Sequence, residues 1–316
     1  MKKSIMNLFV IVGACICWAQ ASGQPLQSPN PEPPRVTGKI QEGKIRVGDR
    51  ERSYVAYLPA SLSPGAALVI VLHGSNMTGE RMRRATGWIF ELLADRRGFA
   101  LVYPNAHQGT WNECRKDASA SARIAGIDDV GFVRALIRSF ASEFKIDQKK
   151  VNVFGFSGGG HMGFRLAFEA PGEIAAVAAA GASLPTPESS SCPVDGKTSR
   201  IMLINGSADP INPYDGGPHP AGGSVMSSQA SVMAVAKRNN MLARPVEKVI
   251  QLPSKGDQTS VHLLTWQRGG QSVVALYSIR GGGHVIPQPV FRFPEHLGVT
   301  GSFDTPSAAI TFFALD

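Results

Sequence analysis

Three residues in separate parts of the chain have the types that nucleophilic catalysis needs: Ser157, Asp209 and His284. A serine hydroxyl is a weak nucleophile at neutral pH and requires a base within hydrogen-bond reach. Histidine suits that task because its pKa lies near neutrality. The imidazole in turn needs an acceptor on its second nitrogen to fix tautomer and orientation, which a carboxylate supplies. Ser157 lies in Gly155-Phe156-Ser157-Gly158-Gly159, a G-x-S-x-G match that follows the apolar stretch Val151-Asn152-Val153-Phe154 and precedes a helical pattern over Gly160 to Glu169. In a strand–turn–helix context the serine stands on a strained turn with Oγ lifted clear of the sheet. Its flanking glycines let strand and helix approach where a Cβ would collide. The backbone N–H of Gly158 then faces the same space and holds a developing oxyanion. The competing reading is a glycine-rich turn in which Ser157 only caps the helix.

The two partners are chosen by position. Asp209 follows the apolar strand pattern Arg200 to Gly206, with Asp215 and Asp257 as competitors. Its bland role would be to stabilise a turn before Pro210. Among seven histidines, His284 follows the last strand pattern on the loop Gly281-Gly282-Gly283, which can carry it over the sheet edge; otherwise it is a surface histidine. His73 and His161 flank the expected oxyanion region but are tied to a strand end and to the elbow helix. His107 and His219 lie in long loops, His262 in a strand and His296 near the C-terminus. A second oxyanion donor is expected after the apolar run Ala67 to Leu72, at His73-Gly74-Ser75, with the Ser75 N–H preferred. Trp111, in a long polar loop, and His73 are the candidates to touch the substrate. Ordinary loop packing is the alternative for Trp111.

These residues need a frame that delivers them to one edge. The uninterrupted run Ala67 to Leu72 marks a parallel strand buried on both faces. Lys39 to Leu58 alternates around a Gly-Asp turn, as an edge hairpin does. Further strands are expected at 100–103, 174–180, 200–206, 246–251, 261–266 and 273–279, and helices at 89–97, 128–144, 228–239 and 304–315. Asp128 and Asp129 read as acidic residues capping a helix N-terminus. Alternating strands and helices imply an α/β fold, a mostly parallel central sheet with helices on both faces and an N-terminal antiparallel hairpin. Ligands bind such sheets at the carboxyl ends of the strands, where Ser157, Asp209 and His284 all fall.

Bulk properties narrow the function classes. The chain has 316 residues, 43% of them hydrophobic, with a formal net charge of +8. The basic residues are scattered, and the densest run, Arg81-Met82-Arg83-Arg84, reads as a solvated helix face, not a nucleic-acid patch. No zinc-like Cys/His pairing and no phosphate-cradling loop is present, so neither metal nor cofactor is expected. Lys2 and Lys3, the short apolar stretch Ile5 to Trp18 and Ala19-Gln20-Ala21 form a signal peptide over residues 1–21. A lipoprotein box with Cys15 acylated is the alternative. Residues 22–37 make a proline-rich linker and residues 38–316 a catalytic domain. In an exported, secreted or periplasmic chain, Cys114 and Cys192 are then expected to pair.

The motifs together resemble a known group. His73-Gly74-Ser75, Asp128-Asp129-Val130-Gly131-Phe132, Gly155-Phe156-Ser157-Gly158-Gly159, Asn205 to Ile211 and Gly281-Gly282-Gly283-His284 are similar to the secreted polyhydroxybutyrate depolymerase and feruloyl esterase family, related to carbohydrate esterase family 1. The resemblance implies an α/β-hydrolase fold and no cofactor. It also implies a serine ester hydrolase with Ser157 as nucleophile, Asp209 as orienting acid and His284 as base. Small-molecule or oligomeric esters are the implied substrates: feruloyl-sugar, acetyl-sugar or hydroxybutyrate esters. Ser75 stands where many members carry cysteine, which excludes a disulfide there, and no substrate-anchoring module follows the catalytic domain. A serine peptidase on the same fold and a non-catalytic binding protein are the alternatives. No nucleic-acid partner and no stable membrane span are expected, and the oligomeric state stays open.

Overall fold

A computed structural model describes residues 31–193 and 196–315. The expected signal peptide, the Cys15 anchor and the first part of the linker lie outside the described residues. The fold is built on one ten-stranded sheet. Strands β1 (Lys39–Val47) and β2 (Arg50–Leu58) form the expected hairpin, with Gly48 turning in the left-handed region at φ 59°. Strands β3 (Leu68–Leu72), β4 (Ala100–Pro104), β5 (Val151–Phe156), β6 (Ala176–Ala180) and β7 (Arg200–Gly206) form the parallel centre. A two-stranded ribbon, β8 (Gly217–Pro218) and β9 (Ser224–Val225), folds a loop apart from the sheet. Strands β10 (Val246–Gln251), β11 (Ser260–Arg268) and β12 (Gln271–Arg280) close the far edge, β12 pairing parallel with β7. The spatial order is β1-β2-β4-β3-β5-β6-β7-β12-β11-β10.

The sheet is covered on both faces, which is why its central strands read as unbroken apolar runs. Successive side chains of a strand point to opposite faces. In β3, Leu68, Ile70 and Leu72 join one core with residues of α4 (Asp129–Phe144), α5 (Gly158–Glu169) and α6 (Ser228–Arg238). Val69 and Val71 join the other core with α1 (Gly79–Ala85), α2 (Ile89–Arg97) and α7 (Thr305–Phe313). Among the described residues no helix is long and apolar enough to cross a membrane.

Three expectations change. The basic run on α1 is not a solvated face throughout. Arg83 is buried, its Nε donating to Glu91 at 2.8 Å and its Nη1 to Glu80 at 2.6 Å, because α1 turns that residue toward α2. Asp128 caps α4 as expected, accepting from the Gly131 N–H at 2.7 Å. Asp129 does more. Fully buried, it meets Arg52 of β2 at 2.7 Å and accepts the Asn112 N–H at 2.7 Å, tying hairpin, helix and long loop together. The long loop after β4 also contains a short helix, α3 (Ser121–Ile124), that its polar composition concealed. Cys114 of this loop is bonded to Cys192, 78 residues away, in the loop before β7.

Candidate active site

The turn after β5 holds Ser157 at φ 51° and ψ −118°, a strained conformation for a residue with a Cβ. The strain persists because the neighbours leave no alternative. A Cβ on Gly155 would lie 2.2 Å from the Gly159 carbonyl oxygen, and one on Gly159 would lie 2.3 Å from that of Leu72. Ser157 occupies the cap position of α5 but makes no side-chain capping bond. Its hydroxyl instead meets His284 Nε2 at 2.9 Å. That removes the reading in which Ser157 serves only as a cap.

His284 is almost wholly buried. Its Nδ1–H donates to Asp209 Oδ2 at 2.8 Å, which leaves Nε2 as the acceptor for the serine hydroxyl. The ring stacks beside Phe156 with centroids 5.1 Å apart, and its backbone N–H donates to Leu297 O at 2.6 Å. The glycines before it matter for clearance: a Cβ on Gly283 would fall 2.0 Å from Leu297 O. Asp209 Oδ1 accepts the backbone N–H groups of Ile211 and Asn212, both at 2.8 Å, so one carboxylate oxygen is anchored and the other serves the histidine. The rival carboxylates are elsewhere. Asp215 is exposed, and Asp257 accepts from Thr259 and Ser302 in a separate loop.

The loop after β3 faces the elbow. A Cβ placed on Gly158 would lie 2.7 Å from Ser75 Oγ and 3.4 Å from Ser75 N. Neither the Ser75 nor the Gly158 N–H has a hydrogen-bond partner among the described residues. This is the arrangement a two-donor oxyanion site requires. His73 and Trp111, expected to touch a substrate, are instead buried, at 0% and 1% exposure. His73 Nδ1–H donates to Gly74 O at 2.7 Å and Nε2 accepts the Ala106 N–H at 3.0 Å. The Trp111 indole N–H donates to His73 O at 2.8 Å, and the two rings lie 5.1 Å apart. A buried indole must find an acceptor, and this one finds the strand end. Both residues brace the loop after β3 from behind. Burial lowers the His73 pKa to about 4, so the ring is neutral and its two hydrogen bonds are compatible.

Sequence reasoning gave no role to two further groups. Asn205, at the end of β7, is fully buried. It accepts the Ala182 N–H at 3.1 Å and donates to Ala182 O, Ser183 Oγ and Ser228 Oγ at 3.0, 3.1 and 2.9 Å. It thereby fixes the floor beneath the acid loop; a polar residue at the end of a buried strand was its signal. The second group is Glu113, Arg115, His161 and His219, all buried. Arg115 Nε donates to Glu113 Oε1 at 2.9 Å, and its Nη2 lies 2.9 Å from the same oxygen. The rings of His161 and His219 lie edge to face at 5.6 Å. Burial first, and then the positive charge of Arg115, hold both histidines below the ordinary range, His219 at about 3. Nothing in local spacing revealed this cluster, because its members come from three separate segments.

The described residues contain no group of acidic, histidine and cysteine side chains that could hold a metal. The chain matches the family described as Esterase PHB depolymerase over residues 52–241. It is 27% identical over 98% of its length, and 97% of the relative's, to NocK of Nocardia uniformis subsp. tsuyamanensis, a protein named as an esterase. It is 37% identical over 38% of its length to a poly(3-hydroxybutyrate) depolymerase of Ralstonia pickettii, of which it covers 27%. An acetyl xylan esterase from Aspergillus awamori superposes with a TM-score of 0.60 at 17% identity, over 87% of this chain and 100% of that one. The fold is therefore that of the α/β-hydrolase esterases, and the chain belongs to the Esterase PHB depolymerase family of carboxylic ester hydrolases.

Proposed function

We propose that this esterase is exported and works through an acyl-enzyme, with Ser157 as nucleophile, His284 as base and Asp209 as the acid that orients it. The observation that carries this reading is the hydrogen-bonded chain from Ser157 Oγ through His284 to Asp209, at 2.9 and 2.8 Å. Ser157 Oγ attacks the ester carbonyl carbon while His284 Nε2 takes its proton. The carbonyl oxygen becomes an oxyanion, received by the N–H groups of Gly158 and Ser75. Collapse of the tetrahedral adduct breaks the bond to the alcohol, which leaves with the proton from His284. Water then gives a proton to His284, attacks the acyl carbon and releases the acid, and Ser157 recovers its proton.

Acetyl- or feruloyl-sugar esters and hydroxybutyrate esters are the proposed substrates, in keeping with the names of an acetyl xylan esterase and a poly(3-hydroxybutyrate) depolymerase among the similar proteins. Export rests on the N-terminal pattern and on a disulfide suited to an oxidising compartment. We assign residues 1–21 to a signal peptide, 22–37 to a linker and 38–316 to the catalytic domain; N-terminal sequencing of the mature chain should begin at Ser22. Ser157→Ala should reduce hydrolysis of p-nitrophenyl acetate to background without shifting the thermal unfolding midpoint. Turnover equal to that of the unaltered enzyme would end this assignment.

A further inference from the structure

Resting on the ester-hydrolase reading, we infer that Arg115, His161 and His219 form a second recognition site beside Ser157, which receives a carboxylate carried by one arm of the ester. The three side chains converge from different segments. Arg115 comes from the disulfide-anchored loop after β4, His161 from the first turn of α5 and His219 from the ribbon loop after Asp209. His161 follows Ser157 by one helical turn, its N–H donating to Ser157 O at 3.0 Å. The cluster therefore lies against the reacting centre.

Its hydrogen bonding is incomplete in a directed way. Arg115 is 4% exposed and His161 1% exposed. Arg115 Nη1 and both ring nitrogens of His161 are buried with no partner in the described protein. Leaving such a group unpaired costs about 1–3 kcal/mol, so a ligand that supplies the missing bonds recovers that cost on binding. The chemistry of the loose ends selects that occupant. Glu113 takes the Nε and Nη2 edge of the guanidinium and leaves Nη1 as a free donor. His219 Nδ1 accepts the Ala221 N–H at 3.1 Å, so the neutral ring carries its proton on Nε2 and donates there. His161 contributes one donor and one acceptor. Donors thus exceed acceptors around a permanent cation, and an anionic oxygen pair fits better than a hydroxyl. Glu113 opposes a second carboxylate, but the Nη1 edge points away from it and the two neutral rings add no charge of their own.

The loops that carry the site are bonded to one another. The Ser119 N–H donates to Ala221 O at 2.8 Å, and the Lys116 N–H to Ser189 O at 2.9 Å. The first bond ties the Arg115 loop to the His219 loop, and Ser189 Oγ accepts the Ser224 N–H of the same ribbon at 3.0 Å.

The test compares three chromogenic esters on one enzyme: p-nitrophenyl butyrate, mono-p-nitrophenyl succinate, and 3-carboxy-4-nitrophenyl butyrate. The first is neutral, the second carries a carboxylate on the acyl arm and the third on the leaving group. One of the two carboxylate esters should exceed the neutral ester in kcat/KM by about tenfold, mainly through KM. In Glu113→Gln/Arg115→Met, which removes both charges together, that ratio should fall to about one. Turnover of the neutral ester with no carboxylate preference in the unaltered enzyme would overturn this inference and leave the esterase reading intact. Absence of turnover of all three would instead strike the esterase reading. Binding is read separately: monomethyl succinate, but not dimethyl succinate, should raise the melting temperature of Ser157→Ala, and an equal response to both would overturn the site. Should the double variant fail to fold, His219→Leu on the rim should lower the same ratio, and an unchanged ratio there would also count against it.

Discussion

Two buried polar networks meet at the same edge of the sheet, and they differ in how completely they are paired. In the chain Asp209–His284–Ser157, each nitrogen of the imidazole has a partner, and Asp209 is held by two backbone N–H groups. In the neighbouring group, Arg115 Nη1 and both nitrogens of His161 have none among the described residues. A fully paired network is rigid in advance, so no reorganisation is needed when charge develops. An under-paired one is costly at rest and gains on binding. The contrast matches the two proposed roles, chemistry at the paired network and recognition at the under-paired one.

The comparison is broken most severely at the paired network. Asp209→Asn should lower kcat by roughly four orders of magnitude, because an amide that donates to Nδ1 enforces the wrong histidine tautomer. The backbone donors at Ile211 and Asn212 keep an oxygen to bind, so the fold should survive. Steady-state kinetics with circular dichroism check both halves. A loss below tenfold would mean that His284 does not depend on Asp209.

The next effect falls on the loop that carries the under-paired network. Cys114 and Cys192 close a segment of 78 residues, and a link of that span contributes about 4 kcal/mol through the unfolded chain. Cys114→Ser/Cys192→Ser should therefore lower unfolding stability by about that amount in urea titration. Arg115 adjoins Cys114, so the carboxylate preference should weaken more than turnover of the neutral ester. Equal losses in both would make the disulfide a stabiliser only.

The smallest effect is one of pH. Burial lowers His73 to about 4 and His219 to about 3 in the folded protein. Between those values and the ordinary histidine pKa of about 6.5, the unfolded chain binds more protons than the native one. Stability is then full above about pH 6.5 and falls as the pH drops toward 4, by about 3 kcal/mol for His73 alone. Urea midpoints from pH 7 to pH 4 should show this decline, and His73→Gln should make it shallower, leaving the part due to His161 and His219. A flat profile in the unaltered protein would show that these rings do not stay neutral.

The frame was legible wherever one stretch of chain decides its own environment. The run Leu68–Leu72 is apolar at every position because both of its faces are covered, and it forms a parallel strand as expected. The hairpin of β1 and β2 was legible from alternation and its Gly-Asp turn. Helix α3 was missed because four residues amid polar loop carry no periodicity. Arg83 was misread because a solvent-facing and a buried arginine look alike until Glu91 is placed beside one of them.

The elbow shows where the boundary falls. Gly155 to Gly159 is contiguous, so steric contact among its own atoms and the adjacent strand sets the turn, and sequence alone determined that Ser157 would stand on a strained turn. His284 lies 127 residues beyond Ser157, and Asp209 stands 75 residues before His284. Their order was readable, but their hydrogen-bond distances depend on loops packed by the whole sheet. Tertiary structure alone decided that Trp111 and His73 turn inward to brace the loop after β3. It alone brought Arg115, His161 and His219 together with Arg115 Nη1 and both His161 nitrogens unpaired among the described residues. Burial is a property of the assembled surface, and no residue carries it in its local spacing.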